Sequence, residues 1–328
     1  MDTLVQVGID WIIAIQSLGG WLEAPMKLFT FLGSDNFFYL VLPLIYWSID
    51  AALGLKVGFI LITSASFNSM AKLWFAGPRP YWVSDKVIPF SAEGSFGVPS
   101  GHAQNAVSVW GIIASSIRKP WAWITASIVI FLIGFSRWYL GVHFVHDGIF
   151  GWLIGMALLW LFIRFSDSVA AWFKSKNFTQ QLLIAFGASL LLIGLGWVSA
   201  MPLAGYTFPE EWRDNALRIS DELPAPVSLE GFVSSAGTFF GLAVGVALMA
   251  SRGGYQATGP IGKRALRYVI GLIGVLLFWK GLDMVFPSGE DLIGFFFRYL
   301  RYGLVGWWVS AGAPYLFFHF KLAEKSKM

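Results

Sequence analysis

The chain has 328 residues, 56% of them hydrophobic and only 13% charged, with a formal net charge of +4 and no cysteine. Its mean hydropathy of +0.65 means far more apolar surface than a soluble core of this length can hide, so the bilayer is its solvent. The missing cysteines exclude disulfides, thiolate catalysis and thiolate metal sites.

Residues 4–22 are apolar but interrupted by Gln6, Asp10, Gln16 and the Gly19-Gly20 pair, with Trp11 and Trp21 suited to the headgroup layer. This predicts an interfacial helix within an N-terminal segment, 1–27, and not a span. The segment has neither the basic start nor the small-residue cleavage site of a removable signal, so it is expected to be retained. A spanning helix needs roughly 20 apolar residues to cross about 30 Å of hydrocarbon. Nine stretches approach that requirement: 28–48, 53–72, 101–117, 121–137, 147–166, 180–201, 232–250, 265–286 and 299–319. The expected fold class is therefore all-α, a polytopic membrane helix bundle. An acidic exterior loop, 202–231, separates a first part at 28–201 from additional C-terminal spans and a basic tail at 232–328.

With nine spans, Arg118, Arg164, Lys174, Arg252, Arg264 and the tail lysines Lys321, Lys325 and Lys327 fall on one side. That side is expected to be cytoplasmic, together with the C-terminus. The acidic loop faces the other way, and the positive charge is read as inner-leaflet anchoring rather than nucleic-acid binding.

Three stretches on the acidic side concentrate the reactive side chains. At 72–80, Lys72 closes a span and Arg79 follows across Gly77-Pro78, where Pro78 and Pro80 end the helix. An arginine fork and a lysine ammonium suit phosphate oxygens, although cations that merely snorkel at a helix end fit the same residues. At 99–102, Pro99-Ser100-Gly101-His102 starts a span: Ser100 is placed as N-cap and the helix start favours an anion, while simple capping explains Ser100 without a ligand. At 136–147, Arg137 follows Ser136 at the end of one span, and His143 and Asp147 stand four apart at the start of the next. If helical, they share a face, so the carboxylate can orient the imidazole as in a catalytic triad. His146 falls on another face and is read as peripheral. Lys280 and Asp283 are read as a structural ion pair with a headgroup pocket as the alternative, and Trp279, Trp307 and Trp308 as interface anchors.

Lys, six residues, Arg-Pro; Pro-Ser-Gly-His; and Ser-Arg, five residues, His, three residues, Asp together resemble the three-part signature of the type 2 phosphatidic acid phosphatase superfamily. The resemblance spans roughly 28–170. It implies a six-span phosphatase core, followed here by about three extra C-terminal spans, and a metal-independent phosphohydrolase with a phosphohistidine intermediate and no cofactor. It further implies that His143 is the nucleophile, Asp147 its orienting partner and His102 the acid for the leaving oxygen. Lys72, Arg79, Ser100, Gly101 and Arg137 resemble the phosphate clamp, and Ser136 a supporting residue.

Only one carboxylate lies within the three motifs, which argues against a two-metal mechanism. A site at the mouth of a helix bundle suits an amphiphile, so the expected substrate is a phosphorylated lipid, phosphatidic acid-like or an isoprenyl diphosphate, with membrane lipids as partners. The nine-span count and the run Arg79-Pro80-Tyr81-Trp82 also resemble the glucose-6-phosphatase branch. A lipid phosphotransferase, a vanadate haloperoxidase and a non-enzymatic lipid-binding or transport protein are the further alternatives; the intact histidines and Asp147 weigh against the last. The expected location is a bacterial inner membrane, with the active site on the exterior side.

Overall fold

The computed structural model describes residues 3–325. The expectations for Met1 and Asp2, and for Lys327 in the tail, lie outside the described residues. Within them the chain is helical, with no β-strand. In order, the α-helices are α1 (Thr3–Gln16), α2 (Glu23–Phe31), α3 (Asp35–Leu44), α4 (Ala51–Phe75), α5 (Pro80–Val83), α6 (Gly101–Ile117), α7 (Pro120–Tyr139), α8 (Val145–Lys174), α9 (Phe178–Ala200), α10 (Glu210–Leu217), α11 (Glu230–Ser251), α12 (Ile261–Leu276), α13 (Leu292–Trp307) and α14 (Ala313–His319).

Among the described residues, five helical segments are long and apolar enough to cross a membrane: Ala51–Val83, Pro120–Tyr139, Val145–Lys174, Phe178–Leu203 and Glu230–Ser251. Gly20–Phe31 and Asp35–Ile49 add a sixth if the pair forms one broken span. The protein is therefore a multi-span integral membrane protein of the expected all-α class, but fewer helices than the expected nine satisfy length and composition. The other three stretches are helical and differ from simple spans for visible reasons. Helix α6 has only 17 residues. A π-helical turn, Leu277–Gly281, follows α12, and another, Trp308–Gly312, separates α13 from α14. Such turns insert an extra residue and rotate the following face, which apolar composition does not reveal.

The chain divides into two compact units. The first comprises Met1–Phe38, Phe67–Trp160 and Val198–Ser228. In it, α8 meets α6 through a G-x-x-x-G pair: a Cβ at Gly151 would lie 2.6 Å from the Ser100 carbonyl oxygen, and one at Gly155 2.7 Å from that of Gln104. With no water to expel inside a bilayer, close backbone packing of this kind holds helices together. The stretch 202–228, expected as loop, contains α10, which packs on the segment after α5. Trp212 and Phe208 contact the buried Trp82 ring, and Arg218 donates to the carbonyls of Ser84, Asp85 and Val87. At the other end of the same segment, Gln16 of α1 donates to the carbonyls of Ile88 and Tyr139.

The second unit comprises Tyr39–Ser66, Leu161–Trp197 and Leu229–Met328. Its core is the fully buried Trp47, whose indole N–H donates to Val309 O at 2.9 Å, with Tyr46, Tyr255 and Phe317 around it. Arg267 is buried and spends its guanidinium on the hydroxyl of Tyr255 and the carbonyls of Gln256, Ala257 and Thr258. Two expectations are corrected here. Asp283 pairs with Arg301 and not with Lys280, whose ammonium instead lies 4.4 Å from the Trp279 ring centre, because the π-turn separates the two faces. Trp308 donates to Gly271 O at 2.9 Å and packs, partly buried, against that core, which departs from an interface anchor.

Candidate active site

The site is assembled at the ends of four helices of the first unit, and local backbone chemistry puts each side chain there. Helix α7 stops in a Schellman motif: Val142 N–H donates to Arg137 O at 3.2 Å and Gly141 N–H to Trp138 O at 3.0 Å. Gly141 has φ +71°, and a Cβ on it would approach Ile88 O to 2.5 Å. His143 follows two residues later, so this turn aims the imidazole. Gly141→Ala is expected to cost about 2 kcal/mol, from left-handed strain plus the clash, and to lower both the apparent Tm in detergent and the activity. An unchanged Tm would show that the turn can be made without glycine.

Helix α8 opens with Asp147 reaching back to its own start. Asp147 Oδ2 accepts the Phe144 N–H at 2.9 Å, half of a capping box, and the same oxygen lies 3.1 Å from His143 Nδ1. This network assigns the proton to Nδ1 and leaves the Nε2 lone pair free. Nε2 faces Arg79 Nη1 at 3.3 Å. Burial, with Arg79 and Lys72 nearby, holds the His143 imidazole well below its ordinary range, so it is neutral at pH 7. His146 is half exposed: its Nε2 stands 3.2 Å from Asp147 Oδ1, at ion-pair distance without hydrogen-bond alignment, while its ring stacks on Phe144, a structural placement. The backward reach of Asp147 brings the second oxygen to it.

The cations are placed by loops as much as by helices. Arg79 is 1% exposed and donates to Ser95 O at 2.7 Å, Val142 O at 2.8 Å, Ser95 Oγ at 3.1 Å and Phe96 O at 3.2 Å. Lys72, at the last turn of α4, donates to Phe96 O. Arg137 donates to Thr30 Oγ1 at 2.6 Å and pairs with Glu93, while its Nε has no partner. Ser100 is the N-cap of α6, its hydroxyl accepting from Ala103 N–H, and its own N–H donates to Asp147 O at 2.9 Å. Gly101 is close to Asn68, whose amide would meet a Cβ at 3.0 Å. His102 stands near enough to be among the groups acting on both His143 and Glu93. The Ser136 hydroxyl donates to Ile133 O at 2.6 Å, within its own helix. All the residues singled out in the three motifs thus belong to one unit, with Ser136 turned to its own backbone.

Sequence reasoning missed three groups. Asn68 donates to Gln104 Oε1 at 3.0 Å and to Pro99 O at 3.3 Å, bracing the turn before α6; its polar position one turn before Lys72 was a usable signal. Thr30 and Glu93 carried none, since each lies outside any motif. Glu93 is the most consequential, because its carboxylate bridges Arg137 and, at 3.8 Å, Arg79. Burial would push its carboxyl up, but Arg137, Arg79 and His102 together hold it well below the usual range, so it is ionised.

An oriented neutral imidazole beside fixed cations, at the ends of membrane helices, is the equipment of a membrane-embedded phosphoryl-transfer enzyme. The PAP2 superfamily model matches residues 53–170, and a model described as the transmembrane extension of PAP2 superfamily phosphatases matches 233–325. Phosphatidylglycerophosphatase B of Bacillus subtilis is 33% identical over 178 residues, covering 49% of this chain and 80% of that protein. Glucose-6-phosphatase 3 of Mus musculus is 28% identical over 186 residues, and the match spans 49% of this chain but only 54% of that relative. The crystal structure of a transmembrane PAP2-type phosphatidylglycerolphosphate phosphatase from Bacillus subtilis aligns at 29% identity with a TM-score of 0.44, covering 51% of this chain and 89% of that one. The chain belongs to the PAP2 superfamily and is a phosphoric ester hydrolase of the membrane.

Proposed function

We propose that the protein hydrolyses the phosphate monoester or diphosphate of a membrane lipid, phosphatidic acid-like or isoprenyl, through a phosphohistidine on His143 and without a metal ion. The observation that carries this reading is the pairing of His143 Nδ1 with Asp147 while Nε2 faces the cations at 3.3 Å from Arg79. The Nε2 lone pair attacks phosphorus in line, the bond to the leaving oxygen breaks, and His102 gives that oxygen a proton. Water then attacks the phosphohistidine, its proton passes to His102, and the P–N bond breaks to restore His143 and release inorganic phosphate. Lys72, Arg79, Arg137 and the N–H groups at the start of α6, with Ser100 and Gly101, balance the equatorial oxygens. Ser136 supports the end of α7 through its own backbone.

Access favours a lipid. The site lies at helix ends, and α1, tied to the site loop by Gln16, and the turn Gly20–Leu22 after it expose Trp11 and Trp21, suited to a lipid-facing edge. A phosphate at the surface with its tail left in the bilayer fits that setting, in a bacterial inner membrane with the site on the exterior side. The glucose-6-phosphatase relatives support a sugar phosphate as the second reading. A lipid phosphotransferase uses the same first step and a different acceptor in the second.

Phosphate release by the purified protein in detergent, with chelator present, compares phosphatidic acid, an isoprenyl diphosphate and glucose 6-phosphate. Release from a lipid that is insensitive to chelator is the expected result. Preference for the sugar would move the chain to the second reading, and a strict divalent-metal requirement would sink the metal-free mechanism.

A further inference from the structure

Glu93 sits where a substrate phosphate is needed. Its carboxylate oxygens reach Arg137 Nη2 and, at 3.8 Å, Arg79 Nη2, the two guanidinium forks of the clamp. Its backbone is fixed from below: Glu93 N–H donates to the buried Tyr81 hydroxyl at 3.1 Å. The next residue, Gly94, has open space around it. The carboxylate is thus carried by the loop 84–100, anchored at Glu93 N–H and open at Gly94, and its side chain remains 24% exposed.

We propose that Glu93 is a built-in occupant of the phosphate clamp, displaced by the phosphate of the substrate and returning to help expel inorganic phosphate. The proposal rests on reading Arg79 and Arg137 as that clamp.

The charges support an exchange over simultaneous occupancy. Lys72, Arg79 and Arg137 are three cations facing the carboxylates Glu93 and Asp147, and Asp35 lies near enough to interact with Glu93. A phosphate dianion added to Glu93 and Asp147 would leave the cluster net negative, which is costly away from water. Moving Glu93 out removes one of those negative charges as the dianion enters. The exchange is also geometrically matched, since a phosphate can offer one oxygen to each arginine as the bridging carboxylate now does. Arg137 Nε, buried and without a partner, offers a further donor that Glu93 leaves unused and a phosphate oxygen can take. Asp147 cannot play the displaced part, because it is tied to the Phe144 N–H and to His143.

A second role for the same contact predicts the opposite sign. If Glu93 only positions Arg137, removing its charge loosens the clamp and weakens anion binding. If it competes for the clamp, removal strengthens binding, by about tenfold for loss of one charge-assisted contact.

The test is calorimetric titration of the full chain in detergent with inorganic phosphate and with orthovanadate, for the natural protein and Glu93→Gln, alongside the phosphate inhibition constant in steady-state turnover. About tenfold tighter anion binding and a correspondingly lower inhibition constant in Glu93→Gln are expected. Equal or weaker binding would overturn the exchange, weaker binding assigning Glu93 to positioning. Turnover with no anion binding by either protein would overturn the clamp reading itself, and the exchange with it. Should Glu93→Gln fail to fold, Glu93→Asp carries the test: its shorter carboxylate cannot keep both arginines, so tighter binding is again expected and unchanged binding overturns the proposal.

Discussion

Replacing His143 with alanine is expected to lower kcat by at least about 10⁴-fold, the scale on which loss of a covalent nucleophile is felt, while leaving the fold intact. The structure shows why the two effects separate. Arg79 Nη1 loses one acceptor but keeps Val142 O at 2.8 Å, and Asp147 keeps the Phe144 N–H, so no buried group is orphaned by the change. His146 cannot substitute, since it lies on the far oxygen of Asp147 and is half exposed. Phosphate release and acid-labile labelling of the protein by radioactive substrate measure the outcome together, with both lost in the variant. Turnover within tenfold of the natural protein would remove His143 as nucleophile. The natural protein should also keep activity on the acid side of pH 6.5, the ordinary imidazole value. Because burial, Arg79 and Lys72 lower the His143 pKa, its lone pair persists as pH falls through the range where a free imidazole is protonated.

Helix locations were legible because apolar length dictates them. The stretch 101–117 coincides with α6, and 180–201 and 232–250 lie within two residues of α9 and α11 at each end. The π-turns at Leu277–Gly281 and Trp308–Gly312 were not legible because they lie within otherwise continuous apolar stretches, whereas the break between α2 and α3 carried a signal in Gly33-Ser34-Asp35-Asn36 that span length alone passed over. Packing contacts between distant residues set those turns, such as Trp47 and Tyr46 donating to Val309 and Ser310. In the site, the motif residues were found because their spacing matches helix ends, where His143 and Asp147 sit four apart. Glu93 was invisible for the complementary reason. It reaches Arg137 across 44 positions and sits in an irregular loop, so no periodicity connects it to its partners. A side chain whose meaning lies entirely in a long-range ion pair leaves no local pattern.

The Asp147→Asn substitution should separate the charge of Asp147 from its part in assembly. An amide oxygen at this position can still accept the Phe144 N–H now held at 2.9 Å, so the start of α8 survives. The same oxygen faces His143 Nδ1 at 3.1 Å, so the amide keeps the tautomer and loses only the negative charge that stabilises the imidazole as it gains positive charge during attack. An expected fall in kcat of about 10²- to 10⁴-fold follows from that lost charge, as when a triad carboxylate is neutralised, with KM little changed because the clamp cations are untouched. Asp147→Ala provides the comparison, since it loses the capping contact as well and should cost about 1 kcal/mol of stability in addition. A purely structural Asp147 would make the two variants differ in activity as they differ in Tm. An Asp147 that acts through its charge makes both poor catalysts while only the alanine variant melts early. Near-natural kcat in Asp147→Asn would end the role of that charge, and an effect confined to KM would place Asp147 in binding instead.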